Sequence, residues 1–241
     1  MDGPEPADCR AFVLHDSQLV VDVIGLALLH GQFVVRSAGT IAGAEQVIED
    51  WPPDLAFVDM DHPDSRRVLA RLVARAPDET PIAILGLARR NDFATTLNAF
   101  ELGATDIVSV PFTPEELLAR AIIGSRRATG RERPLVPTIV VGEVELDIVA
   151  REVRTETEVV HLTGLDQSLL YLLASRAGEV VTRREICDAI WGDGLDVEST
   201  IVDRQVRSLR VKLQDDDRAP HLIATVPGRG YRLETGTFAR E

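Results

Sequence analysis

Two periodicities alternate along the first 125 residues. Short apolar runs at 11–14, 33–37, 55–59, 82–85 and 106–108 predict β-strands. Amphipathic stretches at 18–29, 42–50, 65–75, 92–102 and 114–125 predict helices. Five strand–helix units in this order predict an α/β sandwich, doubly wound around a parallel sheet. In such a sheet functional groups collect at the carboxyl ends of the strands. Those ends carry His15 with Asp16, then Asp59, Gly86, and Ser109 with Val110.

The pattern changes at a polar, basic stretch closed by Pro134 and Pro137. This predicts a first domain over residues 1–125, a linker over 126–137 and a second domain over 138–235. Residues 138–162 alternate Val and Ile with Glu around a turn at Gly142, the pattern of a small antiparallel sheet. Three helices follow. Thr163 and Asp166 open the first, which ends at Ala177 and Gly178. Thr182 and Glu185 have the spacing of a capping box and open the second, which carries Ile190 and Trp191. A polar loop leads to the third, and the chain closes with a hairpin around Pro227 to Gly230.

On a helical wheel the third helix places Val202, Val206, Leu209 and Leu213 in one inward seam. Thr200, Arg204, Arg207, Ser208 and Val211 lie opposite, with Arg210 and Lys212 on the flanks. From Arg204 to Lys212 there are four positive charges and no negative one. Arginine suits both tasks at such a face, pairing with phosphate and bonding bidentately to guanine. Arg229 in the hairpin turn and Arg232 just after it are placed to reach a neighbouring groove or backbone. Small sheet, three helices and a glycine-turn hairpin form the order of a winged helix-turn-helix, which reads duplex DNA with its last helix.

Composition narrows the class. The chain has 45% hydrophobic and 27% charged residues, enough for two folded domains. No apolar run approaches a membrane span and the acidic N-terminus lacks a secretion signal, so a soluble, cytoplasmic protein is expected. Cys9 and Cys187 have neither metal-ligand nor redox spacing. The net charge of −13 opposes a polyanionic partner. Eleven Arg face 19 acidic residues in 1–130, and 15 basic residues face 20 acidic ones beyond. DNA contact must therefore come from a local face.

Residues 138–234 resemble the C-terminal domain of OmpR/PhoB-type response regulators. The resemblance rests on Leu162 and Thr163, Leu169 and Leu170, Gly178, Val181 to Arg183, and Ile190 to Gly192. It continues through Val202 and Asp203, Val206 and Arg207, Leu209 and Arg210, Leu213, Thr225 and Val226, Gly228, Gly230 and Tyr231. It implies that Asp203, Arg204, Arg207 and Ser208 meet bases or phosphates. It puts Thr182, Trp191 and Arg210 at backbone-contact or packing positions and Arg229 at the wing tip. The loop from Gly192 to Ser199 corresponds to one offered to RNA polymerase. Arg204 and Ser208 depart from the apolar and basic residues usual at their places.

The first domain resembles, in outline, the family's flavodoxin-like (CheY-like) receiver. Pro53 to Met60 matches the strand that ends in the phosphoacceptor, Asp59. Gly103 to Asp106, with Pro111 and Phe112, matches the fifth strand and its turn. Phosphoryl transfer onto a carboxylate gathers negative charge and needs a cation and a fixed positive group to stabilise it. Receivers supply two acids after the first strand, a Ser or Thr after the fourth and a Lys after the fifth. Here these are His15 with Asp16, Gly86 and Val110, and the switching aromatic is Ile107. Asp59 and Asp16 remain, with Asp61 nearby, as a residual acidic pocket. No cofactor is expected beyond weak Mg²⁺ binding at Asp16 and Asp59.

The atypical receiver is therefore read as a phosphate-independent dimerisation module, and its lone His15 as structural. The resemblance places the dimer surface on the fourth helix, fifth strand and fifth helix, with Asp106 and Arg120 as an ion pair between subunits. Phe100 and Ile122 are expected to supply its apolar contacts. The expectation is a homodimeric, sequence-specific DNA-binding transcription regulator, with no enzymatic activity. Two alternatives stay open: a conventional two-component regulator phosphorylated on Asp59 by a histidine kinase, and an adaptor that contacts polymerase without reading DNA.

Overall fold

The computed structural model describes residues 9–75, 81–155, 158–192, 200–216 and 218–235. It divides into two units, Met1–Val110 with Glu116–Val136, and Pro137–Glu241 with Pro111–Glu115.

In the first unit β1 (Cys9–Leu14), β2 (Phe33–Ala38), β3 (Leu55–Asp59), β4 (Ala83–Arg89) and β5 (Asp106–Val110) alternate with helices. The helices are α1 (Gln18–Leu29), α2 (Ile41–Asp50), α3 (Ser65–Arg75), α4 (Phe93–Glu101) and α5 (Pro114–Thr129). All strand pairs are parallel, in the order β2-β1-β3-β4-β5. Ala11 to Leu14 and Leu55 to Val58 are wholly buried, as expected of strands covered by helices on both faces. Phe12, Leu14, Ile48, Val58, Leu69 and Leu72 belong to one core cluster. The strand order reverses between β1 and β3, which brings His15, Asp16 and Asp59 to one crevice.

Two boundaries differ from the sequence pattern. β4 runs on to Arg89 because Leu87 and Ala88 are also buried, so Gly86 lies within the strand, opposite Ile107, and not at its end. α5 continues to Thr129, past the expected end at 125, which shortens the linker. Ser125 is buried against Cys9 at 3.1 Å, and the Thr129 hydroxyl donates to the Ser125 carbonyl. Arg126 and Arg127 then lie in the last turn, where cations suit the helix dipole. Farther along, the Val136 amide donates to the His30 carbonyl at 2.7 Å, so this end of the expected linker is bonded to the corner after α1.

The second unit opens with the antiparallel sheet β6 (Thr138–Val141), β7 (Val144–Asp147), β8 (Glu152–Arg154) and β9 (Val159–His161). Then come α6 (Gly164–Ser175), β10 (Val181–Thr182), α7 (Arg183–Trp191), α8 (Thr200–Leu213), β11 (Ile223–Val226) and β12 (Gly230–Leu233). The last three strands pair in the order β10-β12-β11. Thr163 with Asp166, and Thr182 with Glu185, form complete capping boxes on α6 and α7. A Cβ on Gly230 would sit 2.0 Å from the Val181 carbonyl oxygen, so only glycine lets β12 close against β10. Among the described residues no helix is long and apolar enough to cross a membrane.

Candidate nucleic-acid interface and receiver pocket

α8 is amphipathic in the sense its spacing requires. Val202, Val206, Leu209 and Leu213 are buried, while Thr200, Arg204, Arg207, Ser208 and Val211 are exposed. At its first turn the Asp203 carboxylate accepts from the Tyr231 hydroxyl at 2.6 Å and from Arg183 Nε at 2.7 Å. The Arg183 guanidinium also lies 4.8 Å from the Tyr231 ring centroid. Burial raises the Asp203 carboxyl, but the Tyr231 and Arg183 hydrogen bonds outweigh it and hold the group below its ordinary value. Burial, reinforced by the bond to Asp203, pushes Tyr231 up to about 12. Asp203 thus ties α8 to α7 and β12, with its half-exposed carboxylate engaged by Tyr231 and Arg183.

Of three further expected DNA contacts, Arg210 is buried, while Lys212 and Arg232 are half-buried and paired within the chain. Arg210 is 4% exposed. Its Nε donates to the Ile223 carbonyl at 3.0 Å and an Nη to Thr225 Oγ1 at 2.8 Å, with Asp215 at 4.0 Å. Lys212 pairs with Asp166, which also receives Gln205 Nε2 at 2.9 Å. Arg232 donates to Glu234 at 3.0 Å. Arg210 and Lys212, on the flanks of α8, reach acceptors on other elements that the wheel does not contain. Of the four positive charges expected on α8, Arg204 and Arg207 are the two that lie exposed. Thr182 is half-buried, with its hydroxyl accepting from the Glu185 amide, and Trp191 is half-buried at the end of α7. Arg229 is exposed in the hairpin turn beside Gly228, whose φ is +70°. The loop expected to face polymerase lies outside the described residues from 193 to 199.

The receiver crevice holds more than the sequence pattern singled out. His62 is buried, three residues beyond Asp59. Its Nδ1 accepts from the Asp64 amide at 3.1 Å, which assigns the proton to Nε2. That atom faces Asp16 Oδ1 at 3.1 Å and the Gly39 carbonyl at 3.3 Å. His15 repeats the arrangement. Its Nδ1 accepts from the Ser17 amide at 2.9 Å, and Nε2 lies 3.8 Å from Asp59 Oδ2. Arg89 Nε donates to Asp61 at 2.9 Å. Burial pushes the Asp59 carboxyl above its ordinary value, and His15 opposes this only in part.

Imidazoles compete with Mg²⁺ for these carboxylates. His62 Nε2 lies 3.1 Å from Asp16 Oδ1 and His15 Nε2 3.8 Å from Asp59 Oδ2, beside oxygens that a hard cation would need as ligands. Among the described residues no group of three His, Cys, Asp or Glu side chains is placed to hold a metal. Gly86, which the resemblance places at the hydroxyl position of a receiver, is closely packed. A Cβ on Gly86 would lie 2.8 Å from Ile107 Cδ1 and 3.3 Å from Met60 Cγ. Ile107 packs on the core, leaving no room for a hydroxyl at Gly86 unless it moves.

On α4, Phe93, Leu97 and Phe100 are 79, 62 and 46% exposed and fall on one stripe at spacings of four and three. Of the three, Phe100 alone is among the contacts expected from the sequence. Asp106 and Arg120 pair with each other within this chain at 2.8 Å, and Arg120 also meets Glu116 at 3.2 Å. Ile122 is half-buried and its neighbour Ile123 is exposed.

Two family models match in succession. Residues 11–122 match the response regulator receiver domain, and 156–233 match the C-terminal domain of transcriptional regulatory proteins. The chain is 37% identical over 183 residues to the transcriptional activator protein IrlR of Burkholderia pseudomallei, covering 75% of this chain and 76% of that one. It is 29% identical over 223 residues to the DNA-binding response regulator MtrA of Mycolicibacterium smegmatis, covering 92% and 96%. A solved structure of DrrB, an OmpR/PhoB homologue from Thermotoga maritima, aligns over 94% of this chain and 99% of its own. Its identity is 24% and its TM-score 0.42. With a receiver followed by a winged-helix effector, the chain belongs to the OmpR/PhoB family of response regulators.

Proposed function

We propose that this regulator binds duplex DNA in a sequence-specific manner through α8 and the wing, as a homodimer, and without phosphorylation of Asp59. The observation that carries the reading is the outward face of α8. Arg204 and Arg207 are exposed there beside Thr200 and Ser208, on a helix whose opposite side is wholly buried. In an acidic chain this is where a polyanion would be met, with Arg229 reaching the flanking backbone. Arg207→Ala should abolish specific binding in a mobility-shift assay while leaving the fold intact. Binding by the wild type should fall steeply with salt, since phosphate contacts release counterions.

Independence from phosphate is supported by the crevice. Its carboxylates face imidazoles and its hydroxyl position is filled by packing, while Val110 stands where a lysine would neutralise the product. Acetyl phosphate with Mg²⁺ should leave the mass of the chain unchanged. A stable adduct on Asp59, with DNA binding lost in Asp59→Ala, would instead favour the conventional two-component reading, which the retained Asp59 at the end of β3 keeps in play. Dimerisation through α4, β5 and α5 would hold two winged helices on half-sites about one helical turn apart. Its support is the apolar stripe of Phe93, Leu97 and Phe100 beside the Asp106–Arg120 pair.

A further inference from the structure

Val211 is the one apolar member of the outward face of α8, and it is 72% exposed. On a wheel of about 100° per residue it lies about 40° from Arg207 and about 60° from Ser208 on the other side, near the midline of that face. It does not belong to the core, whose seam from α8 is complete with Val202, Val206, Leu209 and Leu213. An aliphatic side chain there has no donor for phosphate and none for the oxygen or nitrogen acceptors of base edges. The major groove offers one apolar group, the 5-methyl of thymine.

We propose that Val211 selects a thymine by packing against its methyl group. It lies seven residues from Arg204, about 10 Å along the helix, and so meets a different base pair from the one Arg204 reaches. The division of labour follows from the chemistry: the two arginines supply attraction and polar readout, and Val211 supplies apolar discrimination. The proposal rests on the reading of α8 as the DNA-contacting helix.

The test uses the full chain and duplexes that it selects from a random pool. Each thymine of the selected site is replaced in turn by uracil, which deletes only the methyl. One replacement should weaken wild-type binding about three- to fivefold, the size expected for burying one methyl. Val211→Ala should bind the thymine duplex more weakly by a similar factor and should scarcely distinguish thymine from uracil at that position. The proposal is overturned if wild type and V211A give the same thymine-to-uracil ratio everywhere. Arg207→Ala separates the two levels of the argument. If it binds as the wild type does, the reading of α8 falls and this proposal with it. If it fails to bind while uracil has no effect, the proposal about Val211 alone falls.

Discussion

The Tyr231 hydroxyl donates to the Asp203 carboxylate at 2.6 Å, and this bond joins the start of α8 to the strand that forms the wing. Arg183 closes the triangle by donating to the same carboxylate and to the Tyr231 hydroxyl, the latter at 3.2 Å. The orientation of the exposed arginines thus depends on residues that do not share their face.

Tyr231→Phe should lower stability by about 1 kcal/mol, the middle of the range for one hydrogen bond, and the half-exposed carboxylate argues against a larger figure. The pH dependence follows from the depressed carboxyl of Asp203. Because its folded value lies below its unfolded one, its contribution is fully present above the unfolded value of about 3.9. It is lost as pH falls through the lower folded value. Urea unfolding of wild type and Asp203→Asn should therefore differ by a constant amount from pH 5 to 8. The difference should shrink as pH drops below about 4.

Arg210 and Arg207 stand one turn apart on α8, yet their variants should fail in different ways. Arg210→Ala leaves the Ile223 carbonyl without its guanidinium and removes the cation 4.0 Å from a wholly buried Asp215, whose other basic neighbour is the exposed His221 imidazole at 2.9 Å. Asp215 also accepts from the backbone amides of His221, Leu222 and Ile223, so its charge cannot withdraw. A loss of about 3–5 kcal/mol is expected, as for other broken buried pairs, and thermal unfolding should shift sharply downward. Arg207→Ala should leave the thermal midpoint within a degree or two, at about ±0.5 kcal/mol, and remove DNA binding. Equal melting shifts in the two variants would contradict the burial of Arg210.

The contrast shows what periodicity can and cannot carry. The alternation of apolar runs locates every strand of the receiver, and the 3.6-residue period separates the buried seam of α8 from its exposed face. A wheel does not show how far a long side chain reaches. Arg210 and Lys212 look like flanking cations on α8, but their partners are Ile223, Asp215 and Asp166, on other elements. His62 escapes the sequence pattern for a related reason. Three residues beyond Asp59 it falls in no motif, and only the sheet order brings it to Asp16 at the end of a different strand. The polar losses at Gly86 and Val110 were plain in the sequence, whereas the packing of Ile107 over Gly86 needed the register of β4 with β5.

That packing predicts an interaction between the two positions. Gly86→Ser places a Cβ 2.8 Å from Ile107 Cδ1, close enough to force movement. The atom displaced is the end of a flexible side chain, so the cost should fall near the low end of overpacking, about 1 kcal/mol. Ile107→Val removes that terminal methyl and should itself cost about 1 kcal/mol. In the double variant the two losses should not add, and a double-mutant cycle in urea should return a favourable coupling of about 0.5 kcal/mol or more. Strict additivity would mean that the side chains do not meet. Restoring the hydroxyl should still not confer labelling by acetyl phosphate, because Val110 provides no positive charge.

The last prediction concerns the apolar stripe on α4. Exposed ion pairs contribute little in water, and Asp106 already satisfies Arg120 within the chain. If this face associates, Phe93, Leu97 and Phe100 must supply most of the free energy through the area they withdraw from water. Leu97→Glu, at the centre of the stripe, should therefore convert a dimer to a monomer in sedimentation experiments at tens of micromolar. Asp106→Asn should shift the dissociation constant by less than about fivefold, in keeping with an exposed pair. Leu97 is itself largely exposed, so the glutamate variant should keep its thermal midpoint apart from whatever stability dimerisation adds. The same variant should bind a single half-site as the wild-type chain does and lose the tighter binding to a paired site, since linked half-sites gain affinity only when both winged helices are tethered.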